Sequence, residues 1–211
     1  MIDKWLSKTK LNRFFEKFAR KLLFERVSSN TITLLAFITG SLGAFFIFLS
    51  GLLIWEIELI ICAVSLIILS FFLDILDGSL ARLQGTTILG GILDIFSDRT
   101  VEVLIIISII SVDPITLMWP GILSLSSIIL CITIFLLVGG SVKTEDLDTT
   151  KKVIYYQSGI MERSETLIFL VLLTVLIPWR NIILWIFAFL VLLTALFRLR
   201  DAYHLFKNKN N

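Results

Sequence analysis

Roughly six apolar stretches, each near the length that crosses a bilayer as a helix, constrain this chain more than anything else in it. They lie near residues 31–50, 54–82, 88–111, 116–139, 165–178 and 181–199. A helix needs about 20 residues to cross the ~30 Å hydrocarbon core. No water reaches that core, so every backbone N–H and C=O must be satisfied within the chain, and a long apolar segment does this as a helix. The 211 residues are 57% hydrophobic, against about 45–50% in soluble domains. Mean hydropathy is +0.94. The reading is all-α: one polytopic membrane domain over 1–211, with six transmembrane helices within 28–206.

An amphipathic interfacial helix is expected to precede them, over residues 1–27. Trp5, Leu6, Phe14, Phe15, Phe18, Leu22 and Leu23 alternate there with Lys8, Lys10, Arg13, Lys17, Arg20 and Lys21. That segment is too charged for a signal-peptide core and suits an anionic leaflet. Packing on the protein itself is the alternative. Ser28, Ser29 and Asn30 then supply capping side chains for the first span. With a cytoplasmic N-terminus, every lysine and arginine except Arg180 falls at a cytoplasmic end or loop. The positive-inside rule therefore puts both termini in the cytoplasm, in the cytoplasmic membrane of a prokaryotic cell. Cys62 and Cys131 sit in apolar runs and read as small packing residues. His204 reads as a surface residue of the C-terminal tail. No nucleic-acid partner is expected.

Charge inside the spans is costly and marks a functional site by default. It is concentrated in one stretch. Asp74, Asp77, Gly78, Ala81 and Arg82 fall at i, i+3, i+4, i+7 and i+8, on one helix face. Gly90, Asp94 and Asp98 share a face of the next helix, after a turn containing Gly85, Thr86 and Thr87. Two antiparallel helices would aim four carboxylates at one volume. Such a cluster needs cations, and hard oxygen donors select Mg²⁺, Mn²⁺ or Ca²⁺. Arg82 suits a phosphate oxygen, and Gly78 and Ala81 leave room for a close approach. From the residues alone this is a metal-assisted phosphoryl-transfer centre, with the site open to the cytoplasm. A carboxylate pair held by structural ion pairs is the bland alternative. A cation transporter is another, but it has no use for Gly78, Ala81 and Arg82.

The pattern Asp-x-x-Asp-Gly-x-x-Ala-Arg, then Gly-x-x-x-Asp-x-x-x-Asp, resembles the signature of the CDP-alcohol phosphotransferases. Asp74, Asp77, Gly78, Ala81, Arg82, Gly90, Asp94 and Asp98 match every fixed position. The resemblance implies an integral-membrane enzyme of phospholipid biosynthesis. It would move the phosphatidyl or archaetidyl group of CDP-diacylglycerol or CDP-archaeol to a polar alcohol and release CMP. It implies Asp74, Asp77, Asp94 and Asp98 as ligands of two Mg²⁺ or Mn²⁺ ions, Asp98 also as general base, and a homodimer. It implies nucleotide contacts from Gly78, Ala81, Arg82, Thr87 and Gly90, and from Asn30, Thr31, Ile32 and Thr33. A non-catalytic lipid-binding relative would be expected to lose a metal ligand, and none is missing.

Two further segments bear on the acceptor. Asp94 to Arg99 resembles the Leu-Asp-x-x-x-Asp-Arg of inositol-type enzymes. Glu162, Arg163 and Glu165 resemble a segment of phosphatidylinositol-phosphate and archaetidylinositol-phosphate synthases. There an arginine and an upstream lysine bind the acceptor's phosphate, which implies Arg163 and Lys143 here. Inositol phosphate is the first choice of acceptor. Glycerol phosphate and other polar alcohols are the alternatives.

Overall fold

The computed structural model describes residues 27–141, 161 and 163–207. The expected interfacial helix and Lys143 lie outside the described residues. Among the described residues six α-helices follow one another: α1 (Ser29–Ser50), α2 (Glu56–Gln84), α3 (Ile88–Val112), α4 (Pro114–Ser141), α5 (Arg163–Val175) and α6 (Arg180–Lys207). A 3₁₀ turn, Ile177–Trp179, separates the last two. The protein is thus an all-α polytopic membrane protein, and no strand occurs among the described residues.

Local chemistry sets the helix boundaries near the carboxylate stretch. Ser28 caps α1, its hydroxyl accepting from the Thr31 N–H at 3.3 Å. Gly85 ends α2 with φ +98°, the left-handed region that side chains rarely adopt. Thr87 caps α3 by accepting from the Gly90 N–H at 3.0 Å. One turn of chain therefore stops one helix and starts the next.

Four helices, α1, α2, α4 and the run from Ile177 to His204, are long and apolar enough to cross a membrane alone. The other two, α3 and α5, are not. Asp94, Asp98, Arg99 and Glu102 interrupt the apolar character of α3. Helix α5 has 13 residues, or about 20 Å at 1.5 Å per residue. It ends at Val175, Leu176 leaves helical geometry (φ −89°, ψ 67°), and Pro178 follows inside the 3₁₀ turn. At the other extreme α6 continues to Lys207, well past the expected end at 199, because its last turns are charged but still helical.

Side-chain contacts give the topology. Gln84 accepts from the Ser29 N–H at 3.1 Å, and Ser70 donates to the Ala36 carbonyl at 2.7 Å, so α1 and α2 run antiparallel. Helix α3 lies parallel to α1. A Cβ on Gly40 would sit 2.7 Å from Val101 and 2.8 Å from Ser70. Small residues at such crossings let membrane helices approach closely where lipid offers no hydrophobic drive to pair them. Helices α4 and α6 also run parallel, joined from Asn181–Thr116 at one end to Arg198–Cys131 towards the other. Ile67, Ile105, Ile109, Leu173 and Phe187 form a fully buried centre. Ile61, Ile68, Ile122 and Phe189 face outward, as lipid requires. Cys62 is among the exposed positions and Cys131 is buried. The starts of α1, α3 and α5 and the end of α2 share one end of the bundle.

Candidate active site

Asp74, Asp94 and Asp98 meet at that end. Each offers a carboxylate oxygen, and the three oxygens lie within 4.8 Å of one another. The antiparallel α2–α3 pair produces this for three of the four carboxylates that the two spacings aim at one volume. Asp77, one turn from Asp74, stays outside that trio and is 4% exposed. Its Oδ2 and the Oδ1 of Asp94 are buried without a hydrogen-bond partner. The Thr33 side chain lies against Asp77. Buried carboxylate oxygens at membrane depth demand a counter-charge. Hard oxygen donors this close together fit a Mg²⁺ or Mn²⁺ ion.

Arg163 supplies a resident cation. Its guanidinium hydrogen-bonds to Asp74 and, at 2.6 Å, to Asp98, and lies 3.5 Å from Asp94. Arg163 opens α5, so the short fifth helix delivers it straight into the carboxylates. The resemblance implied it as a contact to the acceptor's phosphate; the structure brings it against the carboxylates.

The positions that the motif assigns to a nucleotide fall around the α2–α3 turn. Gly78 has open space beside it: an added Cβ would meet only the Arg82 guanidinium, at 3.8 Å. Exposed Arg82 donates to Ser79 at 3.0 Å, and Ala81 is half-buried. Gly90 is hemmed in, its Cβ position 2.9 Å from Thr87 Oγ1 and 3.0 Å from Asn30 Oδ1. Asn30, Thr87 and Gly90 therefore converge. Thr31 is exposed and bonds to Ser28. Ile32 is different: its side chain packs with Leu76 and Leu80 in a small apolar cluster.

A cavity of about 300 Å³ adjoins the carboxylates. Asp94 and Asp98 form one wall. Arg99, Arg163 and Arg198 line it as well, with Glu102 and Cys131. Arg198 donates to the Cys131 sulfur at 3.2 Å, and its Nε is buried without a partner. Arg198 and Glu102 were absent from the residues singled out by sequence. Glu102 carried a signal, since it continues the Asp94–Asp98 spacing by one more turn. Arg198 carried none beyond its sign, because arginines near helix ends usually serve as anchors.

The family model for CDP-alcohol phosphatidyltransferase matches residues 26–196. The chain belongs to the CDP-alcohol phosphatidyltransferase family. No curated protein matches it significantly in sequence. Two solved structures of phosphatidylinositol phosphate synthase from Mycobacterium tuberculosis resemble it. The one with CDP-DAG bound has 19% identity and a TM-score of 0.71, over 90% of this chain and 94% of that one. The one in complex with manganese and citrate has 19% identity and a TM-score of 0.69, over 90% and 88%. At that identity the likeness establishes a shared family fold.

Proposed function

We propose that this protein transfers a phosphatidyl or archaetidyl group from a CDP-linked lipid to a phosphorylated polyol, with inositol phosphate the preferred acceptor, and releases CMP. Family membership supports the transfer. The observation that carries the acceptor is the cavity in which Arg99, Arg163 and Arg198 line the same space as Asp94 and Asp98. Several guanidinium groups beside a reacting centre suit an acceptor that is itself a phosphate ester, because the planar fork matches phosphate oxygens. Lys143, which lies outside the described residues, is assigned to the same phosphate. The synthase from Mycobacterium tuberculosis, whose fold this chain shares, is named for a phosphatidylinositol phosphate product, which agrees with this choice.

Asp74, Asp77, Asp94 and Asp98 would hold two Mg²⁺ or Mn²⁺ ions. Bound there, the ions supply Lewis-acid charge on the phosphoryl oxygens. The chain's own groups do the rest. Arg82 grips the diphosphate of the donor, and Gly78 and Ala81 let the nucleotide lie close to α2. Asn30, Thr31, Ile32, Thr33, Thr87 and Gly90 border its cytidine end, Ile32 chiefly by setting the helix that presents its neighbours. Asp98 lies on the wall shared by the carboxylate cluster and the acceptor cavity. It is the group able to take the acceptor's hydroxyl proton. The hydroxyl oxygen then attacks the lipid-side phosphorus, the bond from that phosphorus to CMP breaks, and a phosphodiester is left. The site opens to the cytoplasm, where CDP-lipid headgroups and polyol phosphates meet.

The test is CMP release from CDP-lipid with a panel of alcohols, each with and without a phosphate, together with identification of the lipid product. Inositol phosphate should outperform inositol and glycerol phosphate, and excess EDTA should abolish turnover. A better rate with an unphosphorylated alcohol would refute the acceptor, and a full rate in EDTA would refute the metal requirement.

A further inference from the structure

The acceptor cavity contains one buried acid to which the proposed reaction gives no task. Glu102 lies on α3 one turn beyond Asp98 and is 2% exposed. Its Oε2 is 2.6 Å from the Arg99 Nη1, yet neither carboxylate oxygen makes an aligned hydrogen bond. The contact is one of charge. A carboxylate this deeply buried is tolerated only beside an opposite charge.

The two partners are buried unequally. The Glu102 side chain is 3% exposed and that of Arg99 30%. Both line the cavity, with Arg99 the more open to it and Glu102 the more enclosed. Helix α3 starts at the site end, so Glu102 is also the deeper of the two. An arginine near a helix end otherwise tends to extend its head towards the lipid headgroups. An anchored acid one turn deeper holds it back along the helix, against the cavity wall. Glu102 meets one nitrogen of a guanidinium whose planar fork carries five N–H donors, so the remaining edge can serve a phosphate oxygen.

We propose that Glu102 is a positioning residue that holds Arg99 in the acceptor cavity, where Arg99 contacts the phosphate of the acceptor. This rests on the acceptor reading above. It makes the Arg99–Glu102 pair a determinant of specificity for phosphorylated over unphosphorylated alcohols.

The full chain, purified into lipid nanodiscs, provides the test. CMP release is measured against inositol phosphate, inositol and CDP-lipid for wild type, Glu102→Gln, Glu102→Asp, Arg99→Ala and the Glu102→Gln/Arg99→Ala double variant. Glutamine keeps the shape of Glu102 and removes its charge. Glu102→Gln and Arg99→Ala should each raise the KM for inositol phosphate roughly tenfold, as losing one charge-assisted contact does. The KM for CDP-lipid should stay unchanged, and the preference for inositol phosphate over inositol should fall by the same factor. Glu102→Asp should recover most of the loss. The double variant should be no worse than Arg99→Ala, because Glu102 acts through Arg99. Additive effects in the double variant, or a parallel rise in both KM values, would overturn the positioning role while the acceptor reading stands. A lowered melting temperature with no rescue by aspartate would overturn it too, making Glu102 a packing residue. A wild-type enzyme with no preference for inositol phosphate would overturn both readings.

Discussion

The two ends of this bundle hold their arginines in opposite ways. At the end away from the carboxylates, Arg180 is 3% exposed. It donates from Nε to the Leu173 carbonyl at 2.9 Å and from Nη2 to the Thr174 carbonyl at 3.3 Å. Those carbonyls belong to the last turn of α5, which has no intrahelical donors left for them. Asn181 donates to the Thr116 carbonyl, and Asp113 accepts from the Thr116 N–H. At that end these side chains bond chiefly to the backbone, Asp113 also accepting from the Thr116 hydroxyl. At the other end Arg163 meets three carboxylates, Arg99 meets Glu102, and buried oxygens of Asp77 and Asp94 lack hydrogen bonds. Charge that completes a backbone is structural. Charge that faces other charge across a cavity is available for chemistry.

That contrast breaks down if substitutions at the two ends behave alike, and the largest expected effect is at Asp98. Asp98→Asn should cut CMP release by about a hundredfold to ten-thousandfold, the usual scale of a general base, while CDP-lipid still binds. Equal loss of affinity and rate would make Asp98 chiefly a metal ligand. Next, Arg163→Ala should raise the KM for the phosphorylated alcohol about tenfold or more, with little change for CDP-lipid. An unchanged KM would assign Arg163 to holding the carboxylates together. Arg82→Ala should weaken nucleotide binding by a similar or smaller factor, because the fork that grips phosphate is lost; titration with CDP-lipid measures it, and an unaltered affinity removes that role. The smallest kinetic effect belongs to the far end. Arg180→Met should lower stability by about 2 kcal/mol, since two carbonyls lose a charged donor, and leave both KM values alone. Thermal unfolding beside steady-state kinetics checks this, and a KM shift there would erase the distinction between the ends.

The sequence by itself determined the features that depend on near neighbours along the chain. Apolar runs long enough to span had to become helices, because lipid leaves the backbone no other partner. Ser28, Gly85 and Thr87 set helix limits through contacts within a few residues. The spacings of Asp74 and Asp77, and of Asp94 and Asp98, placed these acids on helix faces by periodicity alone. A tight turn between α2 and α3 then left little choice about how the faces would meet. The short α5 was harder to read, since its limits depend on Arg163 finding acids on two other helices. Only the tertiary structure decided which arginines share the cavity. Arg163 lies 89 residues from Asp74 and 65 from Asp98, and Arg198 lies 67 from Cys131. Hydropathy treats an arginine at a helix end as an anchor wherever it points. Its partner depends on how α4, α5 and α6 rotate and dock, and that is settled by packing between helices. Glu102 shows the boundary between the two kinds of information: its helix face follows from the spacing, and its pairing with Arg99 in a shared cavity follows from the fold.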